Sequence, residues 1–98
     1  MKLTSSQRKY LRSLAHHLKP VVYIGKNDLA RGVMDSIDKN LFTHELLKVK
    51  SHDDKITKEN LILIENKLNC SIVGQIGKTA IIFRQNSDIE LQKIKLPK

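Results

Sequence analysis

The segment Ile24-Gly25-Lys26-Asn27-Asp28-Leu29 has the residue types of an anion site. An apolar run, Val21-Val22-Tyr23-Ile24, precedes it, and a stretch with helical spacing, Leu29, Val33, Ile37 and Leu41, follows. A strand that breaks at a glycine and re-enters as a helix leaves the first N–H groups of that helix unpaired. Those groups and the helix dipole favour a phosphate or a carboxylate. Lys26 adds a mobile cation, and Asp28 is a good helix N-cap. The same glycine would also serve a turn that only needs freedom in φ, so the loop takes its meaning from its surroundings.

Those surroundings are basic. The 98 residues carry 18 Lys and Arg against 10 Asp and Glu, a formal net charge of +8. Residues 1–26 hold Lys2, Arg8, Lys9, Arg12, Lys19 and Lys26 and no acid, whereas acids outnumber bases over residues 27–66. Basic residues dominate again from Lys67 to Lys98. If the two ends meet in the fold, they build one positive face for a polyanion, and a nucleic-acid backbone is the expected ligand.

The elements that must position this face can be read from spacing. Thr4 and Gln7 form a capping box for a helix over about 5–17. Tyr10, Leu11, Leu14, Ala15 and Leu18 share one side of it, and Lys9, Arg12, His16 and Lys19 lie on another. Pro20 stops that helix. A strand over 21–24, a second helix from Asp28 to residues 42–44 and a strand over 45–50 follow. In that strand Lys48 and Lys50 alternate with Leu47 and Val49 and are read as facing solvent. Thr57 caps a helix over 58–69, with Leu61, Ile64 and Leu68 inward. Strands over 70–76 and 79–84 flank a Gly77-Lys78 turn. Lys78 and Arg84 extend the basic face. Residues 85–98 are expected to be a loosely held basic tail, with a short extended piece near 92–96.

The order α-β-α-β-α-β-β predicts a single compact α/β domain over residues 1–98, a small four-stranded mixed sheet with helices packed on it. Val22, Ile24, Val33, Ile37, Val49, Leu68 and Ile81 are the expected core.

Several classes are disfavoured. No run of 18 apolar residues exists, so no membrane partner is expected. Residues 1–6 lack the apolar stretch of a signal peptide, and the single cysteine, Cys70, cannot form an internal disulfide. The expected compartment is the cytoplasm. Cys70 reads as a small buried hydrophobe. His16 and His17 are adjacent on a helix and diverge, so they do not make a metal site. No paired acid and base and no nucleophile with an orienting partner appears, so the chain reads as no enzyme and needs no cofactor. Only Tyr10, Tyr23, Phe42 and Phe83 are aromatic. That favours recognition of backbone and shape over stacking of many bases. Two functions fit: an RNA-binding protein without catalysis, or an adaptor whose basic face meets an acidic protein.

The motifs narrow this choice. Leu14-Ala15-His16-His17-Leu18-Lys19-Pro20-Val21-Val22-Tyr23-Ile24-Gly25, Gly32-Val33, His44-Glu45-Leu46-Leu47-Lys48-Val49-Lys50 and Ile76-Gly77-Lys78-Thr79 occur in order over residues 3–84. Together they resemble the CRM domain (chloroplast RNA splicing and ribosome maturation), and the length resembles its bacterial YhbY-type members. The resemblance implies an RNA-binding domain similar to the C-terminal domain of bacterial translation initiation factor three. It implies ribosomal RNA or its precursor as ligand and a precursor of the large ribosomal subunit as partner; the chain itself is expected to be a monomer. The family's GxxG loop maps onto Gly25, Lys26, Asn27 and Asp28, with Asp28 in place of the second glycine. The expected RNA contacts are Gly25, Lys26, Asn27, Asp28 and Arg31 at the loop, Lys9, Arg12, His16 and Lys19 beside it, and Lys78 and Arg84 beyond.

Overall fold

Each half of the chain contributes strands to one mixed sheet, and helices cover both of its faces. The computed structural model describes residues 2–25, 29 and 31–98. Lys26, Asn27 and Asp28, and the Arg31 side chain, lie outside the described residues, so the N-cap role of Asp28 and the inner part of the loop do too. The elements are α1 (Ser5–Ala15), β1 (Val22–Ile24), α2 (Arg31–His44), β2 (Leu46–Ser51), α3 (Lys58–Leu68), β3 (Ser71–Ile76), β4 (Thr79–Phe83) and a 3-10 turn over Ile89–Leu91. The expected α-β-α-β-α-β-β order is observed; the 3-10 turn was not legible.

The strands lie in the order β1-β2-β4-β3. β1 and β2 run parallel through the α2 crossover, and the other two pairs are antiparallel. Alternation along each strand divides the core in two. Val22, Ile24, Leu47, Val49, Ala80 and Ile82 pack with Ile37, Leu41 and Ile64 on the α2/α3 side. Leu46, Val73, Ile81 and Phe83 pack with Leu3, Leu11 and Ala15 on the α1 side. Of the expected core residues, Val22, Ile24, Ile37, Val49 and Ile81 are buried, and Val33 and Leu68 pack partly buried against the first cluster.

Local signals set the helix ends. Gln7 N donates to Thr4 Oγ1 (3.1 Å) and Thr4 N to Gln7 Oε1 (3.0 Å), which completes the capping box. Thr57 Oγ1 accepts from Asn60 N at 3.2 Å. Asn69 takes a left-handed conformation (φ 52°) and ends α3.

Three expectations need correction. The apolar stripe of α1 is wider than its buried face: Leu11 and Ala15 are fully buried, but Tyr10, Leu14 and Leu18 are each exposed by 37–38%. The flank beside Leu11 and Ala15 is taken by Arg8, whose guanidinium donates to the carbonyls of Ile72 (2.6 Å) and Val73 (3.4 Å). Arg84 does not extend the basic face. Its guanidinium pairs with Asp38 Oδ1 at 2.6 Å and also donates to the carbonyls of Asp38 and Leu68, which pins α2 to the end of α3.

The third correction concerns residues 85–98, which are tied down rather than loose. Glu45, fully buried, adopts φ 63° directly after α2. One of its carboxylate oxygens accepts from Asn86 N (2.6 Å), and the other from Lys93 N (2.7 Å) and Ile94 N (2.8 Å). Ile94 and Leu96 then pack on the α1-side core, and Gln7 Nε2 donates to Pro97 O at 3.0 Å. No strand forms near 92–96.

Ile37 lies at the centre of the α2-side cluster with no exposure. Ile37→Ala is expected to cost about 2–5 kcal/mol of folding free energy. A urea titration measures it, and a loss below about 1 kcal/mol would contradict this packing.

Candidate nucleic-acid interface

The carboxyl ends of the parallel strands β1 and β2 meet the β3–β4 turn at one edge of the molecule. His52 N donates to Ile24 O (2.9 Å), and Ser51 N donates to Lys78 O (2.9 Å). These two bonds bring Gly25, His52 and Lys78 to the same edge. Gly25 and Lys78 are exposed. At Gly25 the φ is not in the left-handed region, and an added Cβ would meet no described atom within 4 Å. Among the described residues, neither backbone strain nor crowding therefore requires a glycine at this position. Gly77, in the neighbouring turn, differs: its φ of +57° is one that side chains resist.

Arg12 extends from α1 over β3, the edge strand on the far side of the sheet from β1. Its aliphatic stem lies over Gly74 of β3, with Cδ 3.5 Å from where a Cβ would stand. A larger residue at 74 would have to displace that stem. Lys9 and His16, three and four residues away on the same stripe, are exposed, and so is Lys19 just after the helix. Helical spacing puts Lys9 and Arg12 on one side of α1, with His16 at its C-cap; Lys19 lies beyond the helix end. His16 and His17 meet edge to face, with ring centroids 5.2 Å apart. Among the described residues no group of three His, Cys, Asp or Glu side chains could hold a metal ion.

Two lysines read from the sequence as ordinary solvent residues join the site. Lys48 Nζ donates to Leu18 O at 3.0 Å and is half-buried, which fixes its ammonium beside the α1–β1 connection. Lys50 is exposed, one pleat further along β2 on the same face. The alternation of Lys48 and Lys50 was legible; that α1 leaves this part of the sheet uncovered was not.

Cys70 carries no chemistry here. It is buried and its Sγ–H points to Ile64 O (3.6 Å). Burial pushes the thiol up to about 11, against a smaller opposing effect from Arg84, so it stays protonated at neutral pH. No helix among the described residues is long and apolar enough to cross a membrane.

This geometry defines a class: a small α/β domain with Gly25, Lys50 and Lys78 exposed at one sheet edge and basic residues exposed on α1. Comparison with known proteins makes the class specific. The profile of the CRS1 / YhbY (CRM) domain matches residues 3–84, and the chain belongs to that family. A Haemophilus influenzae protein named as an RNA-binding protein is 38% identical over 92 residues, covering 92% of this chain and 93% of the relative. A Pseudomonas aeruginosa protein named as a probable RNA-binding protein is 36% identical over 90 residues, covering 88% of this chain and 85% of the relative. The solution structure of a Staphylococcus aureus candidate RNA-binding protein superposes with a TM-score of 0.74 at 30% identity, covering 98% of this chain and all of that one.

Proposed function

We propose that this protein binds structured RNA without catalysis, and that its ligand is ribosomal RNA or its precursor during assembly of the large ribosomal subunit. It acts as a monomer in the cytoplasm, with no cofactor. The observation that carries this reading is the meeting of Gly25, Lys78 and Lys50 at one sheet edge, with basic residues exposed on α1. A glycine that the fold itself does not require leaves room for close approach of a phosphate. The cations around it match a polyanion, and the RNA-binding relatives supply the kind of polyanion. Gly25, Lys26, Asn27, Asp28 and Arg31 form the loop side of this interface. Lys9, Arg12, His16, Lys19 and Lys78 form its flanks.

Titration of a labelled structured RNA against salt tests the reading. Affinity should fall linearly on a log–log plot, with a slope of about 0.7–0.9 per phosphate contacted. Arg12→Ala should lower affinity and slope while leaving the melting temperature nearly unchanged. A flat salt response would instead favour an acidic protein as the partner of this face. Crosslinking in cells followed by sequencing of the bound RNA identifies the ligand, and enrichment of precursors of large-subunit RNA is the expected result.

A further inference from the structure

The α1-side face of the sheet is only half covered. Leu46, Ile81 and Phe83 lie under α1 and the C-terminal segment. Towards the Gly25 edge, a row of four side chains crosses all four strands in register. Tyr23 pairs with Lys50, Lys50 with Thr79, and Thr79 with Ile76. Tyr23 is exposed by 48% and Ile76 by 69%. Lys50, Thr79 and Ile76 of this row, with Pro20, Lys48 and Ile81, line a depression next to Tyr23.

Tyr23 is held flat. Its ring stacks on His52 with centroids 5.0 Å apart and planes 17° from parallel. The stack restrains the phenol ring before any ligand arrives, so less side-chain freedom is lost on binding. Cations lie to one side of it. Lys50 is its register partner; Lys48, although it donates one proton to Leu18 O, keeps two more. Arg12 stands across the sheet over Gly74. On the other side the chain continues from His52 into Asp53 and Asp54. A phosphate backbone would avoid those carboxylates and run over Lys50 and Lys48.

We infer that this open half of the sheet binds an unpaired nucleotide of the RNA, its base stacked on Tyr23 and its flanking phosphates on Lys50 and Lys48. The inference rests on the RNA-binding reading above and adds a ligand class to it. A flat aromatic flanked by lysines has the two parts that single-stranded RNA needs, a surface for the base and charge for its backbone. A duplex keeps its bases stacked internally and offers none to Tyr23.

The test compares two RNA probes with the same number of nucleotides, a blunt duplex of two strands and a hairpin whose unpaired loop carries 2-aminopurine at one position. The unaltered protein should bind the looped probe more tightly and change the 2-aminopurine fluorescence. Tyr23→Leu should weaken binding of the looped probe about 5- to 150-fold with an unchanged salt slope, because a base contact but no phosphate contact is lost. Tyr23→Phe should restore most of that affinity, which a merely structural role for the hydroxyl would not predict. Lys50→Ala should instead lower the slope by about 0.7. His52→Ala provides a second route should Tyr23→Leu melt early, and should weaken the looped probe alone. If Tyr23→Leu and His52→Ala bind both probes like the unaltered protein while Arg12→Ala weakens both, the RNA reading stands and the stacking platform does not. If the unaltered protein binds neither probe in a salt-dependent way, both readings fall.

Discussion

Glu45→Ala is expected to destabilise the protein by about 3–5 kcal/mol, more than any other single change outside the apolar core. The Glu45 carboxylate satisfies the N–H groups of Asn86, Lys93 and Ile94. Each buried donor left without a partner costs about 1–3 kcal/mol, and water can reach the part-buried pair at 93 and 94 more readily than Asn86. A small domain has only about 5–15 kcal/mol in total, so the variant should sit near its folding threshold. The backbone supplies a control. Glu45 holds φ 63°, a conformation that disfavours any residue with a Cβ by about 1–2 kcal/mol. Glu45→Gly loses the same three bonds but relieves that strain, so it should unfold at higher urea than Glu45→Ala. Hydrogen exchange gives an independent check: the amides of Lys93 and Ile94 should lose nearly all protection in Glu45→Ala, while those of β2 and β4 should lose only what the fall in global stability takes from every core amide. Retained protection at both, with an unfolding midpoint within about 1 kcal/mol of the parent, would remove Glu45 from this role.

The largest effect on binding is expected from removing four cations together. Lys9, Arg12, Lys19 and Lys50 are all exposed, and none belongs to an ion pair among the described residues. If each touches a phosphate, each adds about 0.7–0.9 to the salt slope. At 50 mM salt, where ions are about twentyfold more dilute than at 1 M, such a contact is worth roughly tenfold in affinity. The fourfold alanine variant should therefore lose about three units of slope and about 10^4-fold in affinity for structured RNA. Its melting temperature should hold or rise, because like charges crowd this face in the free protein. A variant that keeps its slope would move the interface elsewhere on the molecule.

Elements whose signals are local were legible in the sequence. The capping box at Thr4, the cap at Thr57, the Pro20 stop, the alternation in β2 and the Gly77-Lys78 turn each act within a few residues. The two-faced core follows from the same alternation. The features that were not legible depend on partners far apart in the chain. Glu45 looks like the first residue of a strand until Asn86, Lys93 and Ile94 return to it across more than forty positions. Arg84 looks like one more basic residue until Asp38 and Leu68 O surround it. The excess width of the α1 stripe could not be sorted into buried and exposed parts without knowing that Arg8 occupies a flank. Among the site residues, the helix stripe was readable from spacing. The opening of the sheet beside Tyr23 was not, because it depends on where α1 stops covering β2 and β4.

The bond from Gln7 to the carbonyl of Pro97 sets residues ninety positions apart side by side. Anything joined before α1 or after Pro97 therefore leaves the surface at nearly one point, away from the Gly25 edge. The domain can be strung in series or inserted within a longer chain on linkers of a few residues, without pulling on its sheet. Each copy in such an array keeps its basic edge free, and copies that engage one RNA together gain from a high effective concentration with no change in any single contact.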